Sequence, residues 1–154
     1  MKYLKLFNEN TDNFKEELQD FCDMNLAYLL DEGFTLQYAR YNKSLYSVTL
    51  IKNPGERHKF TWDEVKDRYI PFLQLLSKRY ELIDFSNPYR SNDHTLKSKV
   101  IRFEVEPPKG TYITSHTYCD VDQVIKDEPI EKILNGILSI TIKVKNKYET
   151  LKTI

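Results

Sequence analysis

His116 and Cys119 stand three residues apart, with Asp120 and Asp122 close behind. These residue types ligate metals or run thiol chemistry. A compact zinc site needs a second ligand pair, yet His58 and His94 stand alone and Cys22 belongs to a helix face. A Cys/His nucleophile needs the imidazole within reach of the sulfur and a third orienting group. Three residues along a strand place two side chains on opposite faces. No metal site and no thiol catalysis is therefore expected. Asp93 and His94, with Arg90 and Lys97, fall in a polar stretch that reads as a solvated connection. Glu104 and Glu106 share one face of a strand and read as solvent-facing. The four glycines, at 33, 55, 110 and 136, are scattered, whereas phosphate cradles cluster them. No catalytic residue and no cofactor is expected, and the chain reads as a non-enzyme.

The cations and rings of one hairpin are the better candidate. Gln37, Arg40, Tyr41, Asn42, Lys43 and Tyr46 gather near its tip, and Arg57, His58 and Lys59 follow in the next loop. Rings can stack on bases while cations meet phosphate. The same residue types are enriched at protein interfaces. Another protein is the expected partner, with single-stranded nucleic acid as the rival. Lys143, Lys145 and Lys147 share one strand face, which reads as the lysine guard of an edge strand.

The elements that would position these residues follow from periodicity. Phe14, Leu18, Phe21, Cys22, Leu26, Leu29 and Leu30 recur at helical spacing and predict a helix near 12–32, ended by Gly33. Cys22 lies on its apolar face as a core thiol. Alternation predicts strands near 34–41 and 44–52, joined by a turn at Asn42-Lys43. Thr61-Trp62-Asp63-Glu64 is a capping box that opens a second helix. Its stripe is Val65, Tyr69, Phe72, Leu73, Leu76 and Tyr80, with a kink expected at Pro71. Strands near 80–86 and 98–106 come next, then a strand at 111–118, a short helix near 129–135 and a strand near 137–147.

One α+β domain over 1–154 is expected: an antiparallel sheet with two main helices on one face, in the order α-β-β-α-β-β, plus a C-terminal helix and strand. If Tyr3 to Phe7 is also a strand, residues 1–86 read as the ferredoxin-like order β-α-β-β-α-β. Lys43 to Leu50 would then hold the place of the main RNA-recognition strand of that topology, without its glycine and with one aromatic of three.

The 154 residues are 40% hydrophobic and 30% charged, with zero formal net charge. That composition suits a single folded domain and argues against wholesale electrostatic binding of nucleic acid. The charge is segmental. Residues 1–32 hold three lysines against eight carboxylates, and residues 33–60 hold five cations against one. Segments 111–136 and 137–154 repeat the contrast in milder form. No apolar run approaches a membrane span, Met1 to Phe7 lacks the apolar core of a secretory signal, and two cysteines make no disulfide framework. A cytoplasmic location without membrane contact is expected.

The chain has 17 Lys, 12 Ile and 10 Asn but two Ala, the mark of an A/T-rich genome. Its opening, Met1-Lys2-Tyr3-Leu4-Lys5-Leu6-Phe7-Asn8, resembles the short start of many small uncharacterised proteins of tailed bacteriophages that infect Bacteroidetes. The resemblance covers these eight residues and carries over no site residue. It implies an accessory protein that acts by binding, for example an inhibitor of host defence, or a minor virion or packaged protein whose first residues serve as a docking tail.

Overall fold

The computed structural model describes residues 13–52, 58–85, 99–105, 114–118 and 136–146. They form a mixed α+β architecture, a six-stranded antiparallel sheet with helices on one face. The expectations for Tyr3 to Phe7, for the loop 87–97 and for a helix near 129–135 lie outside the described residues.

The first helical stretch is two helices, α1 (Asn13–Asn25) and α2 (Ala27–Asp31). The Asn25 side-chain amide donates to the Phe21 carbonyl at 2.7 Å. That carbonyl is the natural acceptor of the Asn25 backbone amide, so the side chain competes with the helix at the break. Gly33 ends α2 with φ at 97°, a conformation that costs a side-chain-bearing residue.

Strands β1 (Phe34–Asn42) and β2 (Leu45–Lys52) pair as a hairpin. Its turn is Lys43-Ser44, one residue later than expected. A register shift between Arg40 and Asn42 sets Asn42 opposite Leu45. Asn42 Oδ1 then accepts from the Ser44 backbone amide at 2.9 Å and closes the turn.

Helix α3 (Trp62–Arg79) starts at the expected capping box. The Glu64 amide donates to Thr61 Oγ1 at 3.3 Å, and the Thr61 amide donates to Glu64 Oε2 at 2.7 Å. Lys52 Nζ also bonds Glu64 Oε1 at 2.7 Å, tying β2 to the start of α3. The helix runs through the exposed Pro71 as one element rather than two.

The remaining strands are β3 (Glu81–Ile83), β4 (Ile101–Val105), β5 (Thr114–Tyr118) and β6 (Ile137–Lys145). The sheet order is β1-β2-β6-β4-β5, and β3 also pairs with β6. Lys143 and Lys145 therefore do not guard an edge: β6 is central, with β2 on one side and β3 and β4 on the other. β3 pairs with residues 143–145 and β4 with residues 137–141, so the two run end to end along one lane. The Phe85 amide donates to the Lys99 carbonyl at 2.9 Å between the end of β3 and the start of β4. The second helix–strand–strand unit is thus no hairpin. The central lane, which a ferredoxin-like order would give to Tyr3–Phe7, is filled by the last strand.

The sheet's inner face meets the helices. Tyr46, Val48 and Leu50 lie opposite Val144, Ile142 and Ile140, all buried. Phe14 of α1 sets its ring edge-on to Tyr46 at 5.6 Å, and Trp62 of α3 stacks at a tilt on Phe103 at 5.7 Å. No helix among the described residues is long and apolar enough to cross a membrane.

Candidate binding surfaces

Strand alternation sorts the hairpin residues between the two faces of the sheet. Tyr46, expected at the surface with the hairpin cations, is 4% exposed in the core against Phe14. It points inward with Val48 and Leu50 and so cannot serve a ligand at the tip. Tyr41 is 54% exposed. It continues the outward step of Gln37 and Ala39, and the register shift that follows sets Asn42 opposite Leu45. Arg40, Gln37 and Lys43 are exposed as well. His58 forms an isolated bridge with Lys52, and both His58 and Lys59 are exposed. Arg57 lies outside the described residues.

Among the described residues the outer face of the sheet carries small hydroxyl residues, of which Ser47, Ser139 and Thr141 are buried, and three cations, Lys143, Lys145 and Arg102. Gln37, Thr49, Thr141, Arg102 and Thr117 stand in register as one row across five strands. Thr49 and Thr141 share a hydroxyl–hydroxyl bond of 3.0 Å at its centre. Ala39, Ser47, Lys143 and Ile83 form the next row. Over these rows runs an alternation of rings and cations. Lys143 Nζ lies 5.1 Å from the Tyr41 ring centre and 5.0 Å from that of Phe85. The Arg102 guanidinium lies 4.9 Å from Phe85, on which it shares a ring with Lys143. Such contacts contribute about 0.5–1 kcal/mol each when exposed and more when water is excluded. Arg102 also reaches Glu104 at 3.8 Å, while its buried Nε has no partner among the described residues.

The outer side of the helices carries a different surface. Met24 of α1, Tyr28 of α2 and Leu75 of α3 are 73%, 53% and 47% exposed. Phe21 contacts Phe72 across the two main helices at 6.4 Å. Met24 follows Phe21, and Leu75 follows Phe72, by three residues, which keeps each pair on one helix flank. The Arg68 guanidinium of α3 lies 4.2 Å from the Tyr28 ring centre, and that of Arg79 lies 5.3 Å from Phe21. These contacts join the helices along one apolar seam. Beside it, α1, α2 and Glu32 expose six carboxylates, Glu16, Glu17, Asp20, Asp23, Asp31 and Glu32, against Lys15.

Neither Met24 nor Tyr28 belongs to the apolar stripe that predicts the first helix, and Leu75 is off the stripe of the second. Large apolar residues off a buried stripe were the available signal for this seam.

The thiol and imidazole candidates fall elsewhere. Cys22 is fully buried, and burial, foremost, pushes its thiol up to about 12 despite a hydrogen bond with Tyr38. Burial likewise raises the Tyr38 hydroxyl, which donates to Asp23 at 3.1 Å. A sulfur that stays protonated is a poor nucleophile. His116 sits on β5 opposite Phe103, and Cys119 lies outside the described residues. Among the described residues no three His, Cys, Asp or Glu side chains gather as a metal site would require.

No protein-family model matches the chain, and neither a characterised protein nor a solved structure matches it.

Proposed function

We propose that this chain is a non-enzymatic binding protein whose partner is another protein, held along the seam between α1–α2 and α3. The observation that carries this reading is the exposure of Met24, Tyr28 and Leu75 on adjoining helices. Large apolar side chains that cluster on a surface mark interaction sites, whereas scattered ones do not. Aromatic residues, Met and Arg are enriched at interfaces, and the seam is built from those types with Leu. The six carboxylates on its α1–α2 side, set against Arg68 and Arg79 on its α3 side, suit a partner that frames apolar side chains with charges of both signs. This role suits the accessory proteins that the opening residues resemble, inhibitors of host defence included. Cytoplasmic action in the bacterial host belongs to the same proposal.

The test is a paired capture from a Bacteroidetes lysate, using the wild-type chain and a Met24→Asp/Leu75→Asp variant, compared protein by protein. Support is a protein enriched by the wild type and lost with the variant, with recovery that falls as salt rises. Identical profiles from the two chains would remove the seam as the binding site.

A further inference from the structure

The helical seam lies between two sides of opposite charge. The ring contact of Phe14 with Tyr80, and that of Tyr28 with Arg68, set α1–α2 antiparallel to α3. Arg79 stands beside the turn of α1 that holds Glu17, Asp20 and Phe21, and Arg68 beside the turn of α2 that holds Tyr28 and Asp31. All three carboxylates and both arginines are exposed. Met24, Tyr28 and Leu75 form the apolar strip between the two sides. The carboxylates at the start of α3 leave this contrast intact. Asp63 pairs with Lys66 and Glu64 with Lys52, while Asp67 is turned about 100° around the helix from Arg68.

A strip edged by acid on one side and by arginine on the other can complement itself. Two copies laid seam on seam can share a two-fold axis that runs along the seam. That rotation exchanges the sides, so the α1–α2 side of each copy meets the α3 side of the other. Carboxylates then face arginines twice, once on either flank of the joined apolar strips. A two-fold axis across the seam would instead set like charge on like. The charge pattern therefore selects one symmetric arrangement. The zero formal net charge of the chain adds no repulsion between copies.

We infer that the seam docks a second copy of this chain, as a two-fold dimer with its axis along the seam. This rests on the reading of the seam as a binding surface and names its occupant when the chain is alone. Three exposed apolar side chains make a small interface, so the dimer dissociates readily and leaves the seam open to the other protein.

The test is sedimentation equilibrium of the full chain from about 1 μM to about 1 mM, the range of dissociation constants that suits a small interface. The expected mass rises from that of one chain to that of two and stops there. Leu75→Asp enters a two-fold interface twice and raises the dissociation constant about 30-fold or more. Charge reversal tests the arrangement itself. Glu17→Lys/Asp20→Lys weakens the dimer about 10-fold or more, as does Arg68→Glu/Arg79→Glu, with melting temperatures confirming that each variant folds. Mixing these two variants restores a dimer, because both of its charged flanks again join opposite signs. A mass that stays at one chain throughout would overturn the inference, as would a mass that climbs past two chains without a plateau. A mixture no more dimeric than its components would overturn it too. A monomeric chain that still captures a protein, lost with Met24→Asp/Leu75→Asp, refutes the dimer and leaves the proposed function standing. A dimer that meets these expectations without any captured protein supports the dimer and removes that function.

Discussion

Removing the Glu64 carboxylate tests how the helical surface is held to the sheet. Its oxygens accept from the Thr61 amide at 2.7 Å, from Thr61 Oγ1 at 3.3 Å and from Lys52 Nζ at 2.7 Å. Losing a capping partner costs about 1 kcal/mol, and an exposed ion pair adds about 0.2–1 kcal/mol. Glu64→Ala should therefore destabilise the chain by about 1–2 kcal/mol at neutral pH. For a chain of this length that lowers the melting temperature by about 2–8 °C. Burial works to raise the Glu64 carboxyl, but the bonds from Lys52 and Thr61 outweigh it and hold the group below 4.5. A carboxylate depressed in this way stabilises the fold above its unfolded value and loses that contribution as pH falls through the folded one. Glu64→Gln should thus be less stable than wild type at pH 7, with the ionic part of the gap closing below about pH 4.5. Thermal melts followed by circular dichroism across pH, with a Lys52→Ala double-mutant cycle, give both numbers. A pH-independent gap, or no coupling with Lys52, would refute this assignment.

Two further outcomes follow from the core. Phe103→Ala removes a fully buried ring that touches Trp62 and Tyr118; it should cost about 3–5 kcal/mol, read as a large drop in the urea midpoint. Cys22, sealed and with its thiol pushed up to about 12, should resist a thiol reagent at pH 8 until the chain unfolds; rapid labelling of this position in the native state, scored by peptide mapping, would contradict its burial.

Local signals in the sequence specify local structure well here. The capping box at Thr61 and Glu64 names the start of α3, and the alternation through Tyr46, Val48 and Leu50 names the inner face of β2. Partners distant in sequence are another matter. Alternation in β6 tells which side chains share a face but is silent on which strands lie beside it, so its lysines read as an edge guard although the strand is central. The contact of Lys143 with Tyr41 and Phe85 joins three separate strands or their ends and has no local signature. Within the hairpin, the tip was legible as a cluster of rings and cations, but not the sorting of its rings. Tyr46 turns inward with Val48 and Leu50, while Tyr41, in step with Gln37 and Ala39, turns to the opposite face. The exposed seam is hidden in the sequence for a related reason. Stripe-finding selects the apolar residues that agree with the helical period and passes over Met24, Tyr28 and Leu75, which depart from it.

The most direct measurement of the central claim is the affinity of the chain for the protein that it captures, by titration calorimetry with purified components. Leu75→Asp and Tyr28→Ala are compared with wild type, both having kept the wild-type melting temperature. Side chains central to an interface cost about 2 kcal/mol or more when removed, so the dissociation constant should rise about 30-fold or more in each. Unchanged affinity in both variants would contradict the claim that this seam is where the protein acts.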